Sequence, residues 1–363
     1  MKPVLIVPAA GMSTRYGLTR PKFLLQHPEG RTMLAAGLSG LPGEQFDHAV
    51  IVSLHDFFHD LDLAALVAEV EGVLSCPVNF VLLDSPTPSM VATVTHGLAT
   101  LQDDRPVVIK DTDNLVGVAA GALPLGENFV TYASLHGNPD VVADNKSYVE
   151  LDSRDFVTNI VEKRVISSDF NSGLVGFASG SVFLTAARSL TGASEIYVSD
   201  IIRAILADGT AVRGVAASTY IDWGTLEDWR RYCRSFATLF VDLDGVVGLN
   251  EHPLAAGEGG WHRIRPIQEN VDALLQRQDS DRYTLIFTTS RSGRFRAAVD
   301  AELRRVGFDA FQLVMDLPHA RRILINDFAP TNAFPSAEAI NIPRNARWLD
   351  EMLPPAETAG GRG

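Results

Sequence analysis

The stretch that decides the fold is Val4-Leu5-Ile6-Val7-Pro8-Ala9-Ala10-Gly11-Met12-Ser13-Thr14-Arg15, followed by Arg20-Pro21-Lys22. Four apolar residues run straight into a turn of small ones, the pattern of a buried parallel strand that opens on a loop. Such a loop presents backbone N–H groups to an anion. Gly11 lets a phosphate approach the backbone, and Ser13 and Thr14 add hydroxyl donors. Arg15 and Lys22 supply positive charge for a triphosphate and for the pyrophosphate that leaves it. Pro21 stiffens the segment that carries Lys22. A second junction of strand and turn stands at Leu239-Phe240-Val241-Asp242-Leu243-Asp244-Gly245-Val246.

Size and composition frame both. A chain of 363 residues is too long for one ordinary core and is read as two domains. With 46% hydrophobic and 21% charged residues it has the make-up of a globular protein. A net charge of -13 argues against non-specific nucleic-acid binding, which needs basic surface to displace counterions. No stretch approaches the length of a membrane span. The apolar start stops at Pro8, so it is read as a first strand and not as a signal peptide. Cys76 and Cys233 are far apart and lack metal-type spacing, which suits reduced thiols in the cytoplasm. The expected partners are small phosphorylated molecules, without nucleic acid or membrane; a homo-oligomer is left open.

Apolar runs alternate with helix-length segments. Residues 4–7, 49–52, 78–83 and 107–109 read as buried strands, and 63–73 and 90–101 as helices. This rhythm implies a mainly parallel sheet with helices on both faces. Residues 128–175 read as hairpins and loops, an insertion of the sort that builds a substrate lid. After a closing helix over 226–236, the rhythm repeats with strand 238–242, helix 266–276, strand 283–289, helix 293–306 and strand 322–326. The boundary is placed near 232–237, giving domains 1–234 and 235–353 and a disordered tail 354–363.

Over residues 1–230 the chain resembles the sugar nucleotidyltransferases. Several landmarks occur in that family's order: the loop Ala10-Gly11-Met12-Ser13-Thr14-Arg15 with Pro21-Lys22; Ser89-Met90-Val91-Ala92-Thr93-Val94; Lys110-Asp111-Thr112-Asp113-Asn114; Val161-Glu162-Lys163; Asn171-Ser172-Gly173; and Asp222-Trp223-Gly224-Thr225. The resemblance implies that Ala10 to Thr14, Ser89 and Thr93 bind the nucleotide. It implies that Glu162, Asn171 and Gly173 contact the acceptor, and that Arg15, Lys22 and Lys163 handle the phosphates. Asp113 and Asp222 are the implied magnesium ligands, with Asp111 acting through water or as a strand-end cap. Ser13 departs from the family, which usually has a second glycine there. In the implied reaction an acceptor phosphate oxygen attacks the α-phosphorus of a nucleoside triphosphate, and catalysis is positioning and charge neutralisation.

Over residues 238–350 the chain resembles the haloacid-dehalogenase-like phosphatases. That resemblance makes Asp242 the nucleophile and Asp244 the acid and base, roles that suit two carboxylates flanking a strand-end turn. Thr289, or its neighbour Thr288, is the implied phosphate-binding hydroxyl in Thr288-Thr289-Ser290-Arg291. Ile323-Leu324-Ile325-Asn326-Asp327 is the implied acidic strand end, so that Asp242, Asp244 and Asp327 would hold a second magnesium. The family's phosphate-neutralising lysine is missing, and Arg321 or Arg322 is the candidate replacement.

The fold class is therefore α/β: a mainly parallel Rossmann-like nucleotidyltransferase sheet with a hairpin-rich insertion, then a small α/β domain like the haloacid dehalogenases. The function expected is magnesium-dependent transfer from a nucleoside triphosphate to a sugar 1-phosphate or similar acceptor, joined to a phosphatase step. Three alternatives stand beside it: a cytidylyltransferase for a non-sugar acceptor, a phosphatase with an inactive transferase domain, and a transferase whose second domain only binds or oligomerises. His55 and His59, Phe57-Phe58 and Trp229 are read as solvated edge or packing, and Gly257-Glu258-Gly259-Gly260-Trp261 as a flexible loop.

Overall fold

A computed structural model describes residues 1–11, 21–119, 121–190, 196–250, 263–327 and 336–354. The chain divides into two compact units, Met1–Trp229 and Arg230–Gly363. Met12, Ser13, Thr14 and Arg15, the Gly257 to Trp261 stretch and most of the tail lie outside the described residues.

In the first unit the opening apolar run forms β1 (Val4–Ala9), followed by α1 (Met33–Leu38), β2 (His48–Leu54), α2 (Leu63–Leu74), β3 (Val78–Leu83), α3 (Met90–Leu98) and β4 (Val107–Lys110). The remaining elements are β5 (Asn114–Gly117), β6 (Phe129–Ser134), β7 (Ser147–Leu151), β8 (Val157–Glu162), β9 (Asp169–Phe177), α4 (Gly180–Ser189), α5 (Val198–Ala207), β10 (Arg213–Ala216), β11 (Thr219–Asp222) and the start of α6 (Leu226–Arg234), whose last residues are counted in the second unit. The main sheet runs β10-β6-β9-β4-β1-β2-β3, with the β7–β8 pair attached through β9. Strands β1 to β4 are parallel, and β9 inserts antiparallel between β4 and β6.

β1 shows why its sequence has no polar face. Val4, Leu5, Ile6 and Val7 are fully buried. Leu5, Val7 and Ala9 enter one core and Val4 and Ile6 the other. A central parallel strand alternates its side chains between two helix-covered faces, so both sets must be apolar.

Two expectations need correction. Residues 128–175 do not form a separate lid. β6 and β9 are members of the main sheet, and only the β7–β8 hairpin branches away. The pairing of β9 with β6 and with β4 joins segments far apart in the chain, which a local reading of hairpins and loops does not reveal.

The second correction is in the second unit. Its elements are β12 (Ala237–Asp242), α7 (Gln268–Gln278), β13 (Tyr283–Thr288), α8 (Arg296–Val306) and β14 (Gln312–Val314). They form a three-stranded parallel sheet in the order β12-β13-β14 over a core that includes Leu243, Val271, Leu274, Phe287 and Leu303. The strand expected at 322–326 is not formed. Ile323, Leu324 and Ile325 are 67%, 57% and 89% exposed. The neighbour of β13 is instead β14, which follows α8 after a short turn and pairs Ile286 with Gln312. A strand needs a partner as well as an apolar run, and connection length favours the next segment along the chain.

Candidate active site

β1 pairs in parallel with β2 on one side and with β4 on the other. Chain order therefore reverses between β1 and β4, and in open α/β sheets a crevice opens at the carboxyl ends of strands at such a point. Ala10 and Gly11 follow β1, and Asp111 and Asp113 follow β4. A cavity of about 450 Å³ lies here, with Lys22, Asp111, Asp113, Lys146, Glu162 and Asp222 in its wall.

The Asp111 to Asn114 turn is built around a buried cation. Lys110 is fully buried, and its Nζ donates to the carbonyl oxygens of Asp111 at 2.7 Å and Asn114 at 3.0 Å and to the Asn114 side chain. Both ends of the turn are thus tied to one ammonium, which orients the carboxylates between them. Burial lowers the Lys110 ammonium to about 8, and Asp111 and Asp113 oppose that fall. Gly173 closes the turn from β9. Its carbonyl accepts from Asp111 N–H at 2.9 Å, at a φ of +87°.

Asp222 joins from far along the chain because β11 pairs with β5. Asp222 is in register with Asn114, and Trp223 N–H donates to the Asp113 carbonyl at 2.9 Å. The two carboxylates converge above Gly224. A methyl group built there would lie 3.2 Å from Asp222 Oδ1 and 3.7 Å from Asp113 Oδ2. Carboxylate oxygens are the hard donors that magnesium prefers, so Asp113 and Asp222 are the residues that would hold a divalent cation here.

Two lysines answer this negative charge. Lys22, on a short turn fixed by Pro21, pairs with Asp113. Lys146 pairs with Asp222 Oδ2 at 2.7 Å. Burial pushes the Asp111 carboxyl up to about 6, with Asp113 adding to the rise. Burial would raise Asp113 too, yet the Lys22 ammonium holds it down at about 2. The pair therefore splits, with Asp113 the more firmly ionised member.

The β7–β8 hairpin delivers the acceptor-side residues. Ser147 pairs with Glu162, and Lys163 N–H donates to the Lys146 carbonyl at 2.8 Å. Glu162 Oε2 accepts from the hydroxyls of Ser147 and Ser199, the latter at 2.8 Å. Lys163 has a φ of +54°, and its Nζ donates to Tyr197 at 2.8 Å. Left-handed backbone at a lysine costs on the order of 1 kcal/mol and is concentrated at functional sites. Asn171 Oδ1 accepts from Gly173 N–H at 2.9 Å.

Gly11, Lys22, Asp111, Asp113, Glu162, Asn171, Gly173 and Asp222 all border the cavity; Lys163 does not. Ser89 and Thr93 are placed otherwise. The Ser89 side chain caps α3, accepting from Ala92 N–H at 3.2 Å. Thr93 is buried, with its hydroxyl on Thr87 at 2.5 Å and on the Ser89 carbonyl at 3.2 Å. Met90, between them, is the residue of that helix start that reaches the cavity. Lys146, Tyr197, Ser199 and Tyr220 were missed, since no local motif marks them. Their one signal was placement at strand or helix ends, visible only once the elements are known. His55, Asp56 and His59 do cluster, within 4.8 Å, but all three are exposed on the surface.

No family model matches the sequence, and no curated protein matches it. Solved structures do. A nucleoside-diphosphate-sugar pyrophosphorylase from Vibrio cholerae RC9 superposes with a TM-score of 0.53 at 19% identity, over 63% of this chain and 99% of that one. The inositol-1-phosphate CTP transferase from T. maritima gives 0.50 at 14% identity, over 63% and 91%. The likeness is one of fold. It spans a share of the chain equal to that of the first unit, 229 of 363 residues, and it identifies a nucleotidyltransferase-like α/β architecture.

In the second unit, Asp242 ends β12 and Asp244 stands in the following turn. The Asp242 carboxyl is raised, by desolvation first and by Asp244 second, against Arg322 and His319. Asp244 is engaged. Arg291 Nη2 donates to its Oδ1 at 2.7 Å and Nε to the same oxygen at 3.1 Å, while the Thr289 hydroxyl donates to Oδ2 at 2.9 Å. Arg321 and Arg322 are exposed, and Arg322 donates to the carbonyls of Pro318 and Ala320. Asp327 is exposed and belongs to no strand, so the acidic strand end expected of it is not formed. No described helix is long and apolar enough to cross a membrane.

Proposed function

We propose that the first unit transfers a nucleotidyl group from a nucleoside triphosphate to a small phosphorylated acceptor, such as a sugar 1-phosphate, and releases pyrophosphate. The observation that carries this reading is the convergence of Asp113 and Asp222, each paired with a lysine, at the switch point of a parallel sheet. A phosphate oxygen of the acceptor forms the new bond to the α-phosphorus as the bond to the β-phosphate oxygen breaks. The chain's task is to hold the two phosphates in line and balance their charge. Lys22 would meet the triphosphate, the role that the sequence also gives Arg15; Lys163 would meet the acceptor phosphate and Glu162 the acceptor hydroxyls. A magnesium ion held by Asp113 and Asp222 would neutralise the phosphate oxygens. Pyrophosphate release measured across nucleoside triphosphates and phosphorylated acceptors tests the reading, with a non-sugar acceptor and CTP among the pairs. Release with one pair, lost in Asp113→Ala, supports it; release unaffected by Asp113→Ala sinks it.

A second reading concerns the second unit: hydrolysis of a related phosphoester at Asp242, with the magnesium ligands and Asp244 role that its sequence suggests. It is favoured by the Asp242 carboxylate at a parallel strand end with the Thr289 hydroxyl one strand away. Its requirement is that Asp244 leave Arg291 to carry a proton. Phosphate release from a sugar-phosphate panel, abolished in Asp242→Asn, supports it. An Asp242→Asn protein with unchanged release, or with changed assembly and no turnover in either form, favours a binding or oligomerisation role.

A further inference from the structure

Lys146 has no place in the reaction just described, yet it is among the most confined cations of the site. Its side chain is 13% exposed and that of Asp222 12%. Its Nζ lies 2.7 Å from Asp222 Oδ2 and donates to the Tyr220 hydroxyl at 2.7 Å. The rings of Tyr220 and Phe170 lie beneath it, with centroids 5.2 and 5.8 Å from Nζ. Those rings attract the cation and guide its stem. The residue after it starts β7, and its carbonyl accepts from Lys163 N–H, so its backbone is fixed while its tip points at a carboxylate read as a metal ligand.

A divalent cation held by Asp222 through Oδ1, the oxygen that faces Asp113, would share one carboxylate with the ammonium on Oδ2, and the two positive charges would repel. That repulsion favours departure of the Lys146 ammonium when a divalent cation binds, as it does for Lys22 on Asp113 Oδ2. Lys146, Ser147, Glu162 and Tyr220 all line the cavity, so a tip released from Asp222 remains at its wall. The Lys146 carbonyl is bonded to Lys163 N–H, which puts Lys146 on the acceptor side.

We propose that Lys146 is an internal stand-in for the divalent cation. It holds Asp222 in place while the metal is absent, competes with metal for that carboxylate, and is handed to the acceptor phosphate when metal binds. This rests on the reading of Asp113 and Asp222 as metal ligands. It adds a linkage between metal and acceptor: each strengthens the other's binding, because each draws Lys146 to the same position.

The test is Mn2+ binding to the full-length protein without substrates, followed by electron paramagnetic resonance of the free ion. Lys146→Met is expected to bind Mn2+ about tenfold more tightly than the natural protein, the scale of coupling between close charge pairs. Lys146→Arg, which keeps the charge, is expected to retain the weaker binding. Lys146→Met that binds Mn2+ equally or more weakly overturns the proposal, because a lysine that merely positions Asp222 gives that result. Asp222→Asn and Asp113→Asn report separately on the metal reading: if neither changes Mn2+ binding, that reading fails whatever Lys146 does. Inorganic phosphate serves as the second probe. Its affinity is expected to rise with Mg2+ in the natural protein and to rise less in Lys146→Met; an equal rise overturns the hand-over. Circular dichroism melting of Lys146→Met and Lys146→Arg confirms that both fold.

Discussion

Replacing Gly173 by alanine asks whether the Asp111 to Asn114 turn is held by packing as tight as the structure shows. A methyl group at Gly173 would lie 2.5 Å from Asp111 Oδ2, 2.6 Å from Asn114 Nδ2 and 3.0 Å from Asp111 Cγ. The φ of +87° costs an alanine roughly 1–2 kcal/mol. Forcing the buried turn aside adds about 1–3 kcal/mol. The expected loss is therefore about 2–5 kcal/mol. Gly30 is the internal control. It has a nearly equal φ of +86° and open space where the methyl would go, so Gly30→Ala carries only the backbone cost, roughly 1–2 kcal/mol. Urea unfolding of both variants, with the slopes compared, separates the collision from the conformational cost. Mn2+ binding should weaken in Gly173→Ala and stay unchanged in Gly30→Ala, because only the first pushes on Asp111. If Gly173→Ala is no less stable than Gly30→Ala and binds Mn2+ as well, the turn is not clamped from β9 and the reasoning is wrong.

Lys110→Met should destabilise the first unit by about 3 kcal/mol in urea unfolding, because it leaves two carbonyls and the Asn114 side chain without their charged donor; a near-neutral result would mean that water replaces the ammonium. His27 is buried against Trp223 and Trp229, and burial lowers it from 6.5 to about 4. Between those values the unfolded chain binds the additional proton, so stability falls as pH drops from 6.5 toward 4. The full effect is about 3 kcal/mol, and a His27→Gln variant should lack this component when unfolding free energies are compared at pH 7 and pH 4.5. In the second unit, Arg291→Ala should cost about 3 kcal/mol by leaving Asp244 without its bidentate partner, and Arg291→Ala/Asp244→Ala should recover part of that loss in a double-mutant cycle.

The readability of this chain varied with the range of the forces involved. Strands β1 to β4 and the helices between them were legible because a two-sided parallel strand must be apolar along its length, and turn residues bound each run. Lys22, Asp111, Asp113 and Asp222 were legible because they sit at strand ends or beside a rigid proline. Ser89 and Thr93, expected at the nucleotide, also have a local use that the motif did not show. A serine before a helix and a threonine one turn in satisfy that helix's own backbone groups, and a motif cannot distinguish this from ligand contact. The run Ile323 to Ile325 looked like a strand, but apolar character does not specify a pairing partner.

The sequence by itself determined the first unit's α/β sheet, the end of β1 at a turn of small residues and the presence of two acid-bearing strand ends, because these follow from hydrophobic period and from residue types at turns. Only the tertiary structure decided that Asp222 stands beside Asp113, that Lys110 ties the turn, that Lys146 lies on Asp222 and that Arg291 clasps Asp244. Each joins side chains from separate segments of the chain, and their meeting is set by sheet order and register. No single segment encodes those; they result from how all the strands bury their faces together.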